Sequence, residues 1–192
     1  MKYWQSWKKV MFEPTNFFKE LKIKQDYKTP TIFALKTHAI FLAISYIIIL
    51  ALTIFLKEFL TNINIDISTL GINNTSITII LFILMFISLL AIWAGLHLGA
   101  LLIHLFSKIF KSNKEYIKSY NIYVYASAPN LFAFLPFLNY LLFFYSIILM
   151  VIGIKQIHNL STIKSILIII LPILIGMGLG LTLVILHTLA FF

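Results

Sequence analysis

Residues 77–106 read ITIILFILMFISLLAIWAGLHLGALLIHLF, thirty residues without one charged side chain. A helix of that length runs about 45 Å at 1.5 Å per residue, whereas the hydrocarbon core of a bilayer is about 30 Å thick. The stretch therefore reads as a membrane span that tilts or protrudes. At about 100° per residue, Gly95 and Gly99 share one side, and His97 and His104 point nearly opposite, with Trp93 within about 40° of His97. The small-residue ridge Ala91, Gly95, Gly99 predicts close approach of another helix. On the other face, His97 falls between midplane and inner interface and is the buried histidine candidate; His104 falls at that interface. One helix supplies both imidazoles, and no cluster of His, Asp or Glu stands at ligand spacing elsewhere. His97 thus reads as a neutral histidine hydrogen-bonded to another helix, ahead of a haem, quinone or metal ligand and of a proton path.

Composition extends this reading to the whole chain. Of 192 residues, 61% are hydrophobic and 11% charged, and the mean hydropathy is +1.00. A soluble domain carries roughly 45–50% apolar and about 25% charged residues, so this chain cannot cover a water-facing surface. We read an all-α integral membrane protein with five transmembrane helices, at about 30–56, 77–106, 119–135, 139–157 and 164–190. The first opens at Thr29-Pro30, a plausible cap with proline at the first helical position, and serves as an uncleaved signal. The third is the shortest, and it contains Pro129 and Asn130, which predicts a tilted, kinked or partly re-entrant segment.

Lysine placement sets the orientation. Seven lysines precede the first span, four lie between spans two and three, and Lys155 and Lys164 flank the bend between four and five. The segment between spans one and two has only Lys57, and the turn at Pro136 has none. The positive-inside rule then places the N-terminus in the cytoplasm and the C-terminus outside. Asn73 and Asn74 each begin an N-x-[ST] acceptor pattern in the segment this leaves outside. Residues 1–29 form a separate basic tail before a membrane domain of residues 30–192. The tail interleaves Trp4, Trp7, Met11, Phe17 and Phe18 with Lys8 and Lys9, as an amphipathic segment lying at a membrane surface does. Seven lysines against three acids leave the tail at +4, which favours the anionic lipids of the inner leaflet. A docking face for a cytosolic protein is the alternative.

Two further spans carry patterned residues. Tyr120, Tyr123, Ser127 and Asn130, following Tyr116, recur at helical spacing and form one polar face, which must meet protein and not lipid. It reads as a hydrogen-bonded packing face, with a solute path as the alternative. Gly176 and Gly180 give span five a second close-packing face, open to another helix or another copy. Pro172 followed by Gly176, Gly178 and Gly180 also weakens that helix near its middle.

The missing residues restrict the chemistry. All six acids (Glu13, Glu20, Asp26, Glu58, Asp66, Glu115) lie outside the spans, so the intramembrane carboxylates of proton relays and ion-coupled pumps are lacking. There is no cysteine, no arginine and no H-E-x-x-H, G-x-S-x-G or Walker A pattern. The expectation is a protein without enzymatic activity, without cofactor or metal and without a nucleic-acid partner, since the lysines lie between hydrophobic spans.

The order of features from about Phe12 to Leu174 resembles the Yip1 domain family. FEPTNFFKEL resembles the Pro-x-x-Phe-Phe segment ahead of the family's first span. Tyr123, Tyr125 and Pro129 keep the spacing of its Tyr-Gly-Tyr-Ser-x-x-Pro signature, with Val124 in place of the glycine; Pro136, Gly153 and the late Ser161-x-x-Lys164-Ser165 follow in order. The resemblance implies five spans, a cytoplasmic N-terminus and no catalytic residues. The short tail, and the absence of the eukaryotic Asp-Leu-Tyr-Gly-Pro motif, resemble a prokaryotic member. It implies a multi-pass protein of the cell membrane in a prokaryote, or of endomembranes in a eukaryote. The role expected is a scaffold or adaptor in membrane organisation or trafficking, with a permease or lipid-translocating protein as the alternative.

Overall fold

A computed structural model describes residues 2–21, 26–63 and 74–190, side chains at 74–77, 186, 189 and 190 excepted. Lys22, Lys24, Asp66 and Asn73 lie outside the described residues. Two short helices, α1 (Tyr3–Phe12) and α2 (Pro14–Leu21), precede α3 (Lys28–Asn62) and α4 (Asn74–Ile109). A short α5 (Tyr116–Ala126) runs into a 3-10 turn (Ala128–Phe132), followed by α6 (Pro136–His158) and α7 (Thr162–Ala190). Among the described residues there is no strand. Helices α3, α4, α6 and α7 are long and apolar enough to cross a membrane, and the chain is a multi-pass membrane protein.

The region expected as the third span is built differently. Its helix is 11 residues, about 16 Å, and the 3-10 turn adds five residues at about 2 Å each. Pro129 disfavours helical geometry at Ala128 and cannot donate a backbone hydrogen bond, so the α-helix stops at Ala126. Nine of the eleven α5 residues are buried, including Lys118, Ser119 and Asn121. This short helix is the centre of the packing. Tyr120, Ile122, Val124 and Tyr125 from it join Leu96, Ala100 and Ile103 of α4, Leu149, Ile154 and Ile157 of α6, and Ile168 and Ile169 of α7.

The core occupies one end of the bundle. Among described residues, α3 buries nothing after His38, α4 nothing before Leu96, α6 nothing before Leu149 and α7 nothing after Ile169. The packed end is where α3 and α7 begin and where α4 and α6 finish, which is also the lysine-rich end. Because α4 and α6 both run toward it, residues 116–135 carry the chain back between them. Asn159, with φ 57°, closes α6 in the left-handed conformation that asparagine tolerates. Farther out, α3, α4 and α7 present Ile47, Phe55, Leu90 and Leu183 at half or more of their full exposure, the surface a bilayer covers.

Residues of α1 and α2 join this core. Trp7, Val10, Phe17, Phe18 and Leu21 are buried with the residues above. Trp7, expected beside Trp4 at a membrane surface, is 8% exposed and Trp4 is 54% exposed. Trp7 Nε1 donates to the Ala128 carbonyl at 2.9 Å, and its ring packs edge-on against Phe132 at 5.6 Å. Lys8 stays exposed and Lys9 pairs with Glu20 at 2.8 Å. The Tyr145 hydroxyl donates to the Met11 carbonyl, and Phe18 reaches the backbone of α6 at Gly153. Burial raises the Tyr3 phenol above its ordinary pKa, and its hydroxyl pairs with Thr37 Oγ1 at 3.0 Å.

Candidate functional site

The polar face expected along residues 120–130 is divided between two environments. Toward the packed end, the Tyr120 hydroxyl pairs with Thr31 Oγ1 at 2.8 Å. The Tyr116 hydroxyl stands 3.1 Å from His97 Nδ1 and donates to the His97 carbonyl at 3.2 Å. The His97 ring lies between Trp93 and Tyr120, each with ring centres 4.8 Å away. His97 therefore meets its polar partner on α5. These are ties between helices.

Tyr123, Ser127 and Asn130 turn instead into a cleft of about 280 Å³ between α3, α4, α6 and the 3-10 turn. His38 closes one side, Asn139 and Ser146 come from α6, and Ile92, Leu96, Phe143 and Met150 make apolar walls. His38 is 6% exposed, and its Nδ1 lies 2.9 Å from the Ala34 carbonyl. A carbonyl only accepts, so Nδ1 carries the proton and Nε2 is left as an acceptor. Ser127 Oγ donates to the Val124 carbonyl at 2.7 Å. Ser146 Oγ is buried without a hydrogen-bond partner.

The glycines of the α4 ridge do different things. At Gly99 a Cβ would fall 2.1 Å from Cζ of Tyr123, so the missing side chain is what lets that ring lie on the helix. At Gly95 a Cβ would meet nothing within 4 Å, because Gly95 lines the cleft. Ala91 is exposed. Tyr123, Phe143 and Met150 also border an apolar cavity of about 260 Å³ on the Gly99 side, with Ile168 and Pro172. The Gly176, Gly178 and Gly180 positions have nothing within 4 Å of a built Cβ, so no helix of the described chain packs on them. Pro172 sits inside α7, which continues unbroken to Ala190.

Sequence reasoning missed one cluster. His158 is buried, with Nδ1 2.7 Å from Ser112 Oγ and Nε2 3.2 Å from Ser119 Oγ. It ties the end of α6 to the α4–α5 connection and to α5. With both ring nitrogens within hydrogen-bond distance of a serine hydroxyl, the imidazole clamps three segments of the chain together. No periodicity links residues 112, 119 and 158, and only the fold brings them together. Likewise His38, Asn139 and Ser146 reach the cleft from two helices separated by about a hundred residues. Among the described residues no group of three His, Cys, Asp or Glu side chains could hold a metal.

What the cleft offers is hydrogen bonding in an uncharged setting. Neither an acid nor a lysine lines it, and its polar groups are an imidazole, hydroxyls and amides. No curated protein and no solved structure matched the chain. The Yip1 domain profile matches residues 8–184, from α1 to the far part of α7, and the chain therefore belongs to the Yip1 domain family.

Proposed function

We propose that this protein is a non-enzymatic membrane scaffold or adaptor with five crossings, its N-terminus cytoplasmic and its C-terminus outside. The third crossing is the short one, α5 with the 3-10 turn. The observation that carries the reading is the anchoring of α1 and α2 to the bundle. Trp7 is held by the Ala128 carbonyl and the Met11 carbonyl by Tyr145, which fixes a lysine-bearing face at the packed end. Lys28 and Lys36 border a groove of about 250 Å³ with Tyr3, Ser6 and Thr29, a setting for anionic headgroups of the inner leaflet. The unpartnered Gly176 and Gly180 face supports association with a second copy or another membrane protein.

The chain lacks cysteine, so single cysteines report cleanly. With a membrane-impermeant maleimide, Thr188→Cys should label on intact cells and Lys19→Cys only after permeabilisation; the reverse pattern rejects the orientation. Crosslinking in native membranes should trap one defined complex that Trp7→Ala, by freeing the helix pair, reduces. Only monomer, or an unchanged complex, rejects the scaffold. A second reading, transport of a solute or lipid, is supported by the cleft at Tyr123, Ser127 and Asn130. Its test is flux in proteoliposomes.

A further inference from the structure

We propose that the cleft beside Gly95 binds the uncharged, hydroxyl-bearing headgroup of a membrane lipid, of the diacylglycerol type. This gives the transport reading a ligand class and is independent of the scaffold reading.

The cleft lies deep in the bundle. His38 lies ten residues into α3, Gly95 fourteen before the end of α4 and Ser146 twelve before the end of α6. At 1.5 Å per residue these are about 15, 21 and 18 Å from the packed end of the bundle. Polar groups at such depth are found where protein or a polar occupant satisfies them. Its lining also keeps unmet hydrogen-bonding capacity. Nε2 of His38 is an acceptor once Nδ1 is committed to Ala34. Ser127 spends its proton on Val124 and keeps lone pairs, and Ser146 Oγ is buried with no partner. A hydroxyl that both donates and accepts suits such a lining.

With no lysine, acid or arginine on its walls, the cleft has nothing to neutralise a phosphate or pair with an ammonium, and burying either without a partner is costly. Phe143 is both a wall of the cleft and 56% exposed, so an apolar surface continues from the polar pocket to the lipid-facing side. A headgroup of several heavy atoms can sit inside while its acyl chains stay in the bilayer.

The test uses the full chain in dodecyl maltoside with radiolabelled dioctanoylglycerol. Saturable binding is expected, displaced by unlabelled dioctanoylglycerol and at least tenfold less well by dioctanoylphosphatidic acid or by glycerol. Gly95→Leu, at a position where a Cβ meets nothing within 4 Å, extends a side chain into the cleft and should lower affinity at least tenfold, while Gly178→Leu, at a glycine equally open to a Cβ and remote from the cleft, should match wild type. Ser146→Ala, which removes only a hydroxyl, should weaken binding severalfold and decides the matter if Gly95→Leu does not fold. Equal displacement by phosphatidic acid, equal displacement by glycerol, wild-type affinity in both cleft variants, or no saturable binding would each overturn the proposal. Binding without flux in proteoliposomes upholds it and removes only the transport reading.

Discussion

Replacing Trp7 with alanine distinguishes a helix pair docked on protein from one resting on lipid. In the docked arrangement the indole is 8% exposed, donates to the Ala128 carbonyl at 2.9 Å and packs against Phe132. Truncating a buried tryptophan costs about 3–5 kcal/mol, of which the hydrogen bond contributes about 1 kcal/mol. For a chain of this size each kcal/mol moves the melting midpoint by about 2–4 °C, so Trp7→Ala should lower it by roughly 10 °C. Trp7→Phe keeps an aromatic ring but loses the N–H, and should cost about 1 kcal/mol. Trp4, 54% exposed, is the control; its alanine variant should stay within about 0.5 kcal/mol of wild type. Melting of the three variants in one detergent, followed by limited proteolysis of the N-terminal region, reads the effect. Equal shifts for Trp7→Ala and Trp4→Ala would refute the docking, because a lipid- or detergent-facing pair treats both rings alike.

Three other perturbations have definite signs. Gly99→Ala drives a methyl into the Tyr123 ring and should cost about 1–3 kcal/mol as overpacking, whereas Gly95→Ala should leave melting unchanged or raise it; equal effects would mean the ridge packs as one surface. Ser112→Ala strands a nitrogen of buried His158 and should destabilise by about 1–3 kcal/mol; an unchanged melting midpoint would remove the clamp. The Asp26 carboxyl is held below its ordinary value of 3.8 by the Thr29 hydroxyl first, then by the backbone N–H groups of Lys28 and Thr29. A depressed folded pKa means the stabilisation is fully present above 3.8 and is lost as pH falls through the lower folded value. Asp26→Asn should therefore flatten the acid limb of a melting-versus-pH curve, and an unchanged limb would mean that its bonds to the Lys28 and Thr29 N–H groups do not stabilise the fold.

Length and hydropathy made the four long helices legible, and lysine placement marked the end where they pack. What local pattern could not show is which partner satisfies an apolar face. The tail reads identically whether Trp7 and Phe18 sink into lipid or into protein, because both environments ask for the same spacing of apolar residues. The Ala91–Gly95–Gly99 ridge likewise predicts proximity without saying that only Gly99 receives a ring. For residues 119–135, the warning was present in Pro129. Its consequence, a short helix with nine buried residues, depended on α4 and α6 closing around it.

The uneven packing has a physical origin. In a bilayer, apolar side chains gain little by leaving lipid for one another, so specific association falls to close packing and hydrogen bonds. Inter-element bonds such as Tyr3 with Thr37, Thr31 with Tyr120, Tyr116 with His97, and His158 with Ser112 and Ser119 belong to the packed end. Farther out, Thr53, Ser88, Thr182 and Thr188 donate to carbonyls three or four residues back on their own helices, which satisfies them without recruiting a neighbour. One half of the bundle is thus specified by polar contacts, and the other is left to lipid and to any helix that docks on it. The cleft lies toward the border between the two, where His38 and Leu96 are the last buried residues of α3 and α4 on that side. A polar ligand entering from the bilayer would reach hydrogen-bonding groups at that border without disturbing the clamp at His158.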